Sequence, residues 1–480
     1  MACGADIYFW RQVLVLVSDS LHSVGTGFIL SFPSVLNSVA LSTNTTDIHI
    51  TKDQASWITA SHGFAGAIGF FIVPPLMQEY GRKFAHIILN LLVAIGFTML
   101  AFAQNVATLY AGRIIQGLAL CAVYLGPIIL AEYAHPMRRG YFMTLKKGCV
   151  AVGSLICHSL VLICSWRQIA GIATSFYIVA LLLTFLWTKS PPFLAMKGKY
   201  EECDRAYTYL NGNTVKSRRE LEDLISAQRK IREEERIADK NNKLLQICKK
   251  CTRKDFLKPF FIITVLTIII DSGGRYYNVA YIVQIITDIT GDDSVAIYCS
   301  IGLDILSMMA SWSSTYIITK FTRRAILFSC GYLSVTLMFL ISFIVYLSSN
   351  NMATNVVWLT PCVILINSFI VNLGVIPICF TVSGEVFPLE HRGIGTTASG
   401  IVFTLLYAIT MKCTPIMMED TGIEGTYGIY GVCLLICLVI SHFILTETKD
   451  KTLQEIEDEM KGIERDKSKM VKEKELLPIT

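Results

Sequence analysis

Charge is what this sequence has least of. Only 16% of its 480 residues are Asp, Glu, Lys or Arg, against 53% hydrophobic residues and a mean hydropathy of +0.52. A soluble chain of this size spreads charge over its whole surface. Here charge collects in a few short loops, one central block (Lys189 to Lys258) and a tail (Thr446 to Thr480). Other absences exclude whole classes of function. No phosphate-cradling glycine loop, no nucleophile–base set and no metal-ligand spacing appears, so no enzyme chemistry, metal or cofactor is assigned. No basic patch with interleaved aromatics appears either, and the central block intersperses 11 acids among its 18 bases. The formal net charge of +5 is therefore no nucleic-acid footprint. Most of the fifteen cysteines, Cys157, Cys164, Cys330 and Cys437 among them, sit inside apolar runs as small packing residues. Cys248 and Cys251 form one close pair in a polar stretch, but no second pair or histidine follows at ligand spacing.

What is abundant is long apolar runs. Twelve are long enough to cross a hydrocarbon core, at 13–36, 55–77, 84–103, 107–130, 142–164, 169–187, 259–287, 294–318, 325–347, 357–382, 394–416 and 427–445. The first lacks a small-residue cleavage site and reads as an uncleaved span. The fold class is thus all-α and membrane-spanning. The cations orient it. With the N-terminus in the cytoplasm, Arg82-Lys83, Arg138-Arg139, the central block, Arg323-Arg324 and Arg392 all fall inside. The outer loops then hold little beyond Lys52 and Arg167. The single Asn-x-Ser/Thr sequon, at Asn44, falls in the first outer loop, where it can be glycosylated. Both termini are expected inside, in a multi-pass protein of the plasma membrane. Its expected partners are the lipid bilayer and a small-molecule solute, with no nucleic acid, and the chain is taken as a monomer by default.

The central block divides the spans six and six. The expected organisation is an N-terminal six-helix bundle at 1–188, a charged linker at 189–258, a C-terminal six-helix bundle at 259–445 and a cytoplasmic tail at 446–480. Within the linker, Leu221, Leu224, Ile225, Gln228 and Ile231 recur at helical spacing, which favours amphipathic helices over a structureless charged connector.

The two halves share a repeat. Glu132 precedes Arg139-Gly140 by seven residues after the fourth span, and Glu385 precedes Arg392-Gly393 by seven after the tenth. Together with Ala55-Ser56-Trp57, Gly81-Arg82-Lys83, Gly112-Arg113, Pro191, Phe193, Leu194, Glu447-Thr448-Lys449 and Lys451-Thr452-Leu453, the chain resembles the sugar porters of the major facilitator superfamily over nearly its whole length. The insect trehalose and hexose facilitators are the most similar in look. The resemblance implies twelve helices in two six-helix halves that carry a sugar by alternating access. It also implies inner-rim ion pairs that tie the halves together when the pore faces outward, a role it gives to Arg82, Arg113, Glu132, Arg139, Glu385, Arg392 and Glu447. An arginine fork grips a carboxylate bidentately where the interface is partly dry. Ordinary loop charge explains the arginines but not glutamates at matched spacing. Two copies of the pattern are damaged. The second-half loop reads Thr319-Lys320-Phe321-Thr322-Arg323-Arg324, and the segment after the sixth span reads Thr188-Lys189-Ser190-Pro191-Pro192, where Lys189 reverses the expected acid.

The substrate positions implied by the family depart further. A neutral sugar needs converging neutral donors and acceptors. The fifth-span glutamine position falls at Lys147, the seventh-span glutamines at Ile270-Asp271, and Ser272 to Asn278 brings in Arg275, Tyr276 and Tyr277. The eighth-span asparagine falls at Ser307, one turn from Asp304. The tenth-span tryptophan becomes Phe380, and the eleventh-span pair becomes Phe403-Thr404. Charges inside spans are paired or functional. Asp271 and Arg275, four apart, are expected to pair on one helix face. A structural ion-pair cluster and a role in substrate binding or coupling both fit. Asp19 and His22 raise proton coupling, but Gly27-Phe28 is followed by apolar Ile29 where proton-coupled relatives carry the acid, and a packing pair between Asp19 and Lys146 fits better. Three functions stay open: facilitative transport of a sugar or related polar solute, transport of a charged or aromatic amphiphilic solute, and a transport-inactive sensor on the same fold. The topology makes a direct prediction. An epitope at the tail should need permeabilised cells for detection, whereas a tag beside Asn44 should be seen on intact cells. Labelling of the tail on intact cells would contradict it.

Overall fold

The computed structural model describes residues 2–40, 48–237, 254–350, 352, 358–387, 392–447 and 449. Asn44, the Cys248–Cys251 pair and most of the tail lie outside these, as do the side chains of Glu385 and Arg392. The described residues form helices and no strand. In the first half these are α1 (Ala2–Ala40), α2 (Lys52–Tyr80), α3 (Arg82–Ala101), α4 (Val106–Leu118), α5 (Ala122–Tyr133), α6 (Pro136–Leu160) and α7 (Trp166–Phe185). Three linker helices follow, α8 (Pro191–Met196), α9 (Tyr200–Asn211) and the longer α10 (Val215–Ile237). The second half contains α11 (Lys254–Ser272), α12 (Tyr277–Thr290), α13 (Asp293–Lys320), α14 (Arg323–Ser349), α15 (Leu359–Ile370), a π turn (Val371–Val375), α16 (Ile376–Glu385) and α17 (Arg392–Ile444).

Local chemistry sets where the helices begin. Thr51 with Gln54, and Ser165 with Gln168, form reciprocal capping boxes that satisfy the first free N–H groups of α2 and α7. Asn105, Asp292 and Thr322 cap α4, α13 and α14.

Among the described residues, ten helical stretches are long and apolar enough to cross a membrane by length and composition. The last, Gly393–Ile444, would be about 78 Å long if straight. It turns at Gly422, whose φ of 74° breaks the helix, and so supplies two spans. The twelfth is α6, whose Arg138, Arg139, Lys146 and Lys147 leave it the least hydrophobic of the spans. Three spans are discontinuous. The fourth breaks between α4 and α5. The seventh breaks at Gly273-Gly274, where Gly274 has a φ of +90°. The tenth carries the π turn. Backbone that leaves the α-helix at membrane depth is tolerated where it lines a cavity or is buried in protein.

Two separate hydrophobic cores follow the two halves. One is built on residues between Val15 and Leu210; the other runs from Ile262 to Leu445 and takes in Ala60 and Leu120 from the first half. The halves touch through α1 with α12, α2 with α17 and α6 with α13. Inside the first half α1 and α6 pack backbone to backbone. A Cβ on Gly153 would meet the Val24 carbonyl oxygen, and one on Gly27 would meet that of Val150. Small residues permit such contact without a hydrophobic driving force between helices. The linker helices form their own small core from Leu194, Cys203, Ala206 and Leu221, with Leu224 and Ile225 against it, so the helical spacing is realised as packed helices. Arg11 donates to the Tyr209 carbonyl at 2.8 Å and lies 3.7 Å over its ring, which ties α9 to α1.

The first half also buries a polar network. Lys146 Nζ is 2.8 Å from Asp19 Oδ2 and donates to Oδ1 at 3.0 Å, the packing pair favoured from sequence. His86 Nε2 lies 3.8 Å from the same carboxylate, and His22 Nδ1 is 3.1 Å from Asn90 Oδ1. Removing one partner of a buried pair leaves a charge uncompensated and costs about 3–5 kcal/mol. Asp19→Ala is therefore expected to lower the yield and melting temperature of detergent-solubilised protein. Asp19→Leu combined with Lys146→Met should recover most of the loss. A single mutant as stable as wild type would remove the network from the account.

Candidate functional site

One cavity of 1280 Å³ lies between the halves. Its deep end is aromatic. Tyr124 of α5, Tyr276, Phe380 of α16, and Phe403 and Tyr407 of α17 meet edge to face, with ring centroids 5.2–6.5 Å apart. From there it widens past Lys146, Lys147 and Asn372 to Glu132, Arg139, Glu220, Leu224 and Gly393, on the side where the linker helices sit. It opens to that side.

The far side is closed, and the described ion pairs between the halves all lie away from the mouth. Lys412 of α17 pairs with Asp53 of α2, donates to Ser56 Oγ at 2.9 Å and sits 4.7 Å over the Trp57 ring. Lys52 and Glu419 meet at 3.1 Å. Deeper, in the far half of α6 and α13, His158 Nδ1 lies 2.6 Å from Asp304 Oδ2, both side chains buried. Tyr281 donates to the Met411 carbonyl at 2.7 Å, and Gly63 brings α2 so close to Tyr407 and Ala408 that a Cβ would not fit.

On the linker side no described ion pair joins the two halves. Arg82 grips Glu132 through Nε at 2.8 Å and Nη2 at 2.7 Å, and the second carboxylate oxygen accepts from Ser190. Ser190, from the altered segment after the sixth span, thus takes up part of the glutamate. Gly81, with a φ of 97°, turns α2 into α3 and places Arg82 there. Lys83 donates to the Phe185 and Trp187 carbonyls and caps the end of α7. Glu447 accepts from the backbone N–H groups of Arg323 and Arg324, and Arg324 in turn donates to the Leu445 carbonyl at 2.6 Å. Burial alone would raise the Glu447 carboxyl. The backbone donors of Arg324, Lys449 and Arg323 outweigh it and hold the group below its ordinary value. Arg139 is exposed beside Gly140 and makes no side-chain ion pair among the described residues. Gly393 lines the mouth. The side chains of Glu385 and Arg392 lie outside the description.

Several expectations need correction. Arg113 is not on the inner rim. It sits in the second turn of α4 from the far end, fully buried, donating to Gln116 at 3.0 Å and to the Ile29 carbonyl at 3.3 Å. Glu132 is nineteen residues further along the same span, at its opposite end. Asp271 and Arg275 do not pair. Gly273-Gly274 ends the helix between them, so the four-residue spacing no longer puts them on one face. Arg275 turns instead to Asn372 Oδ1 at 2.7 Å, while Asp271 is buried and does not line the cavity. Asp304, Ser307, Tyr277, Asn278 and Thr404 do not line the cavity either. Asp304 is held by His158, Ser307 by Ser368 and Asn372, and Asn278 by the Tyr427 hydroxyl at 2.8 Å. Tyr277 stacks on Tyr430 at 4.5 Å, and Thr404 bonds the Ile401 carbonyl. Of the substrate positions inferred from sequence, Lys147, Arg275, Tyr276, Phe380 and Phe403 do line it. Sequence reasoning missed Asn372, on the π turn, and Tyr124 and Tyr407. A polar residue inside the most apolar stretch of the tenth span was the available signal for Asn372.

A family model described as "Sugar (and other) transporter" matches residues 22–460. The facilitated trehalose transporters Tret1 of Drosophila virilis and Polypedilum vanderplanki are each 27% identical, over 459 and 461 residues, and each match covers 95% of this chain. This chain spans 49% of the length of the first and 89% of the second; it is about half the length of the Drosophila relatives it matches. Among solved structures, the inward open conformation of the xylose transporter XylE from E. coli superposes with a TM-score of 0.73 at 17% identity, covering 94% of this chain and 99% of that one. The proton:xylose symporter XylE bound to 6-bromo-6-deoxy-D-glucose gives a TM-score of 0.69 at 17% identity, covering 95% and 99%. These likenesses concern the fold, which is that of the major facilitator superfamily. With the family's sequence pattern spanning both helical halves and the fold agreeing, the chain belongs to the sugar (and other) transporter family, as a multi-pass α-helical membrane protein.

Proposed function

We propose that this chain is a passive secondary carrier that moves a sugar-sized polar solute across the plasma membrane by alternating access, with the linker side in the cytoplasm. One observation carries the reading: the cavity between the halves opens to a single side, while the described ion pairs between the halves lie away from that opening. An inward-open carrier is arranged in this way. The positions of Arg82-Lys83, Arg138-Arg139 and the linker on the open side support its assignment as cytoplasmic. The units that rock are the bundles at 1–188 and 259–445, joined by the 189–258 linker. When the inner side closes, Arg139 and the second-half repeat at Glu385 and Arg392 come into reach of one another and supply ion pairs across the closed rim. The trehalose and xylose named for the relatives make sugars the first solutes to test. Counterflow of labelled glucose, trehalose and xylose in proteoliposomes tests the carrier. Saturable exchange is expected, and its absence for every solute, sugar acids included, would refute the reading.

The outer seal makes a second test. Lys412 is nearly buried and Asp53 is exposed, so their pair is worth up to about 1 kcal/mol. That is roughly a fivefold change in the ratio of inward-open to outward-open states. Reversing either charge alone, Lys412→Asp or Asp53→Lys, should slow exchange, and the swapped double variant should recover it. Additive losses in the double variant would dissociate this pair from gating.

A third follows from the aromatic end of the cavity. Phe380→Ala and Phe403→Ala each remove a wall of the solute site and should raise the half-saturation concentration of exchange several-fold, with protein levels kept. Unchanged kinetics in both would place the solute elsewhere.

A further inference from the structure

Four cationic side chains, Arg139, Lys146, Lys147 and Arg275, line the cavity, against two carboxylates, Glu132 and Glu220. Both carboxylates are committed, Glu132 to Arg82 and Ser190, and Glu220 to the Tyr207 hydroxyl at 2.8 Å. Lys146 is matched by Asp19. Lys147 is different. It lies mid-span on α6, its side chain is exposed to the cavity, and no described residue accepts from its ammonium. Arg275, across the cavity in the second half, uses Nη1 on Asn372, and its other donors have no acceptor among the described residues. Asp304, the acid that acts on Arg275 through space, is already bound to His158. A cation kept at membrane depth without a partner is costly, and a partner supplied by the ligand removes that cost. A neutral sugar offers only hydroxyls, which satisfy hydrogen bonds but leave the charge uncompensated.

Resting on the reading of this cavity as the solute site, we propose that its ligand is a sugar-sized organic carboxylate, of the sugar-acid class, held by Lys147 from one half and Arg275 from the other. The aromatic end then takes the apolar face of the ring, and the carboxylate points toward the two cations. Because each half supplies one cation, binding the anion draws the halves together. A neutral sugar, lacking the carboxylate, does so less well.

Glucose and glucuronate share a pyranose ring and differ at a hydroxymethyl against a carboxylate, so they isolate the charge. Purified full-length protein in lipid nanodiscs is titrated with each, and the same preparation is assayed for exchange in proteoliposomes. Glucuronate should bind at least tenfold tighter than glucose. Lys147→Gln should weaken glucuronate roughly tenfold to a hundredfold and glucose by far less, so that the preference for glucuronate collapses, and Lys147→Arg should retain most of the affinity. Since Lys147 has no partner to strand, neither variant should unfold the protein. Glucuronate flux should also respond to an imposed potassium diffusion potential, its accumulation ratio changing about fiftyfold per 100 mV, whereas glucose flux should not. Glucose carried without binding or competition by glucuronate overturns this inference and leaves the carrier standing. Glucuronate bound with the stated mutant pattern but never exchanged supports the inference and overturns the carrier. Binding and exchange of neither solute overturn both.

Discussion

The constraint behind this structure is the cost of placing charge at membrane depth. Three solutions recur within or beside the spans. Asp19 and Lys146 neutralise one another inside the first half, and His158 meets the Asp304 carboxyl in a hydrogen bond across the two halves. Arg82 and Glu132 pair at the linker-side ends of their helices, close to water. Lys147 follows a different course and faces the cavity. That arrangement is tolerated only if the cavity is wet or holds an anion. The fold and the proposed chemistry therefore meet at adjacent residues of α6: both lysines reach the cavity, Lys146 bound to Asp19 and Lys147 with no acceptor among the described residues.

The same constraint explains where the helices are broken. An open backbone group in hydrocarbon is as costly as an unpaired polar side chain, so irregular backbone gathers around the cavity and the cores. The seventh span breaks at Gly273-Gly274 and thereby frees Arg275 to reach the cavity. The tenth span loosens into a π turn at Val371–Val375, and Asn372 on that turn receives Arg275. Two independent irregularities converge on one guanidinium. The far-side seal is more conventional, combining close packing of α2 on α17 at Gly63 with the Lys412–Asp53 pair at its edge.

Long apolar runs and their flanking cations are legible in sequence because hydrophobic length and charge placement are set by the bilayer and not by tertiary detail. The spans and the all-α membrane fold were readable on those grounds; Leu221, Leu224 and Ile225 pack as their helical spacing suggested, and Asp19 meets Lys146 because a buried acid needs a partner. The α6 span was readable from its apolar residues although its four cations depress its average hydropathy. What the sequence hid were features that depend on where a helix stops. The expected Asp271–Arg275 pair assumed a continuous helix, and two glycines cancel it. Arg113 was placed at the inner rim by motif alone, whereas counting residues from the capped start of α4 puts it near the far end. Contacts between the halves, such as His158 with Asp304 and Lys412 with Asp53, join residues 146 and 359 positions apart, and no local pattern marks them.

Two neighbouring lysines of the cavity wall differ in whether they hold a carboxylate, and their chemical reactivity tests that difference directly. Reductive methylation of the protein in nanodiscs, followed by peptide mass spectrometry, reads each amine separately. Lys147 should be modified early because its ammonium faces the open cavity, while Lys146, locked onto Asp19, should stay protected until the protein is unfolded. Equal protection of both, or faster modification of Lys146, would contradict a water-filled cavity lined by an unpaired cation.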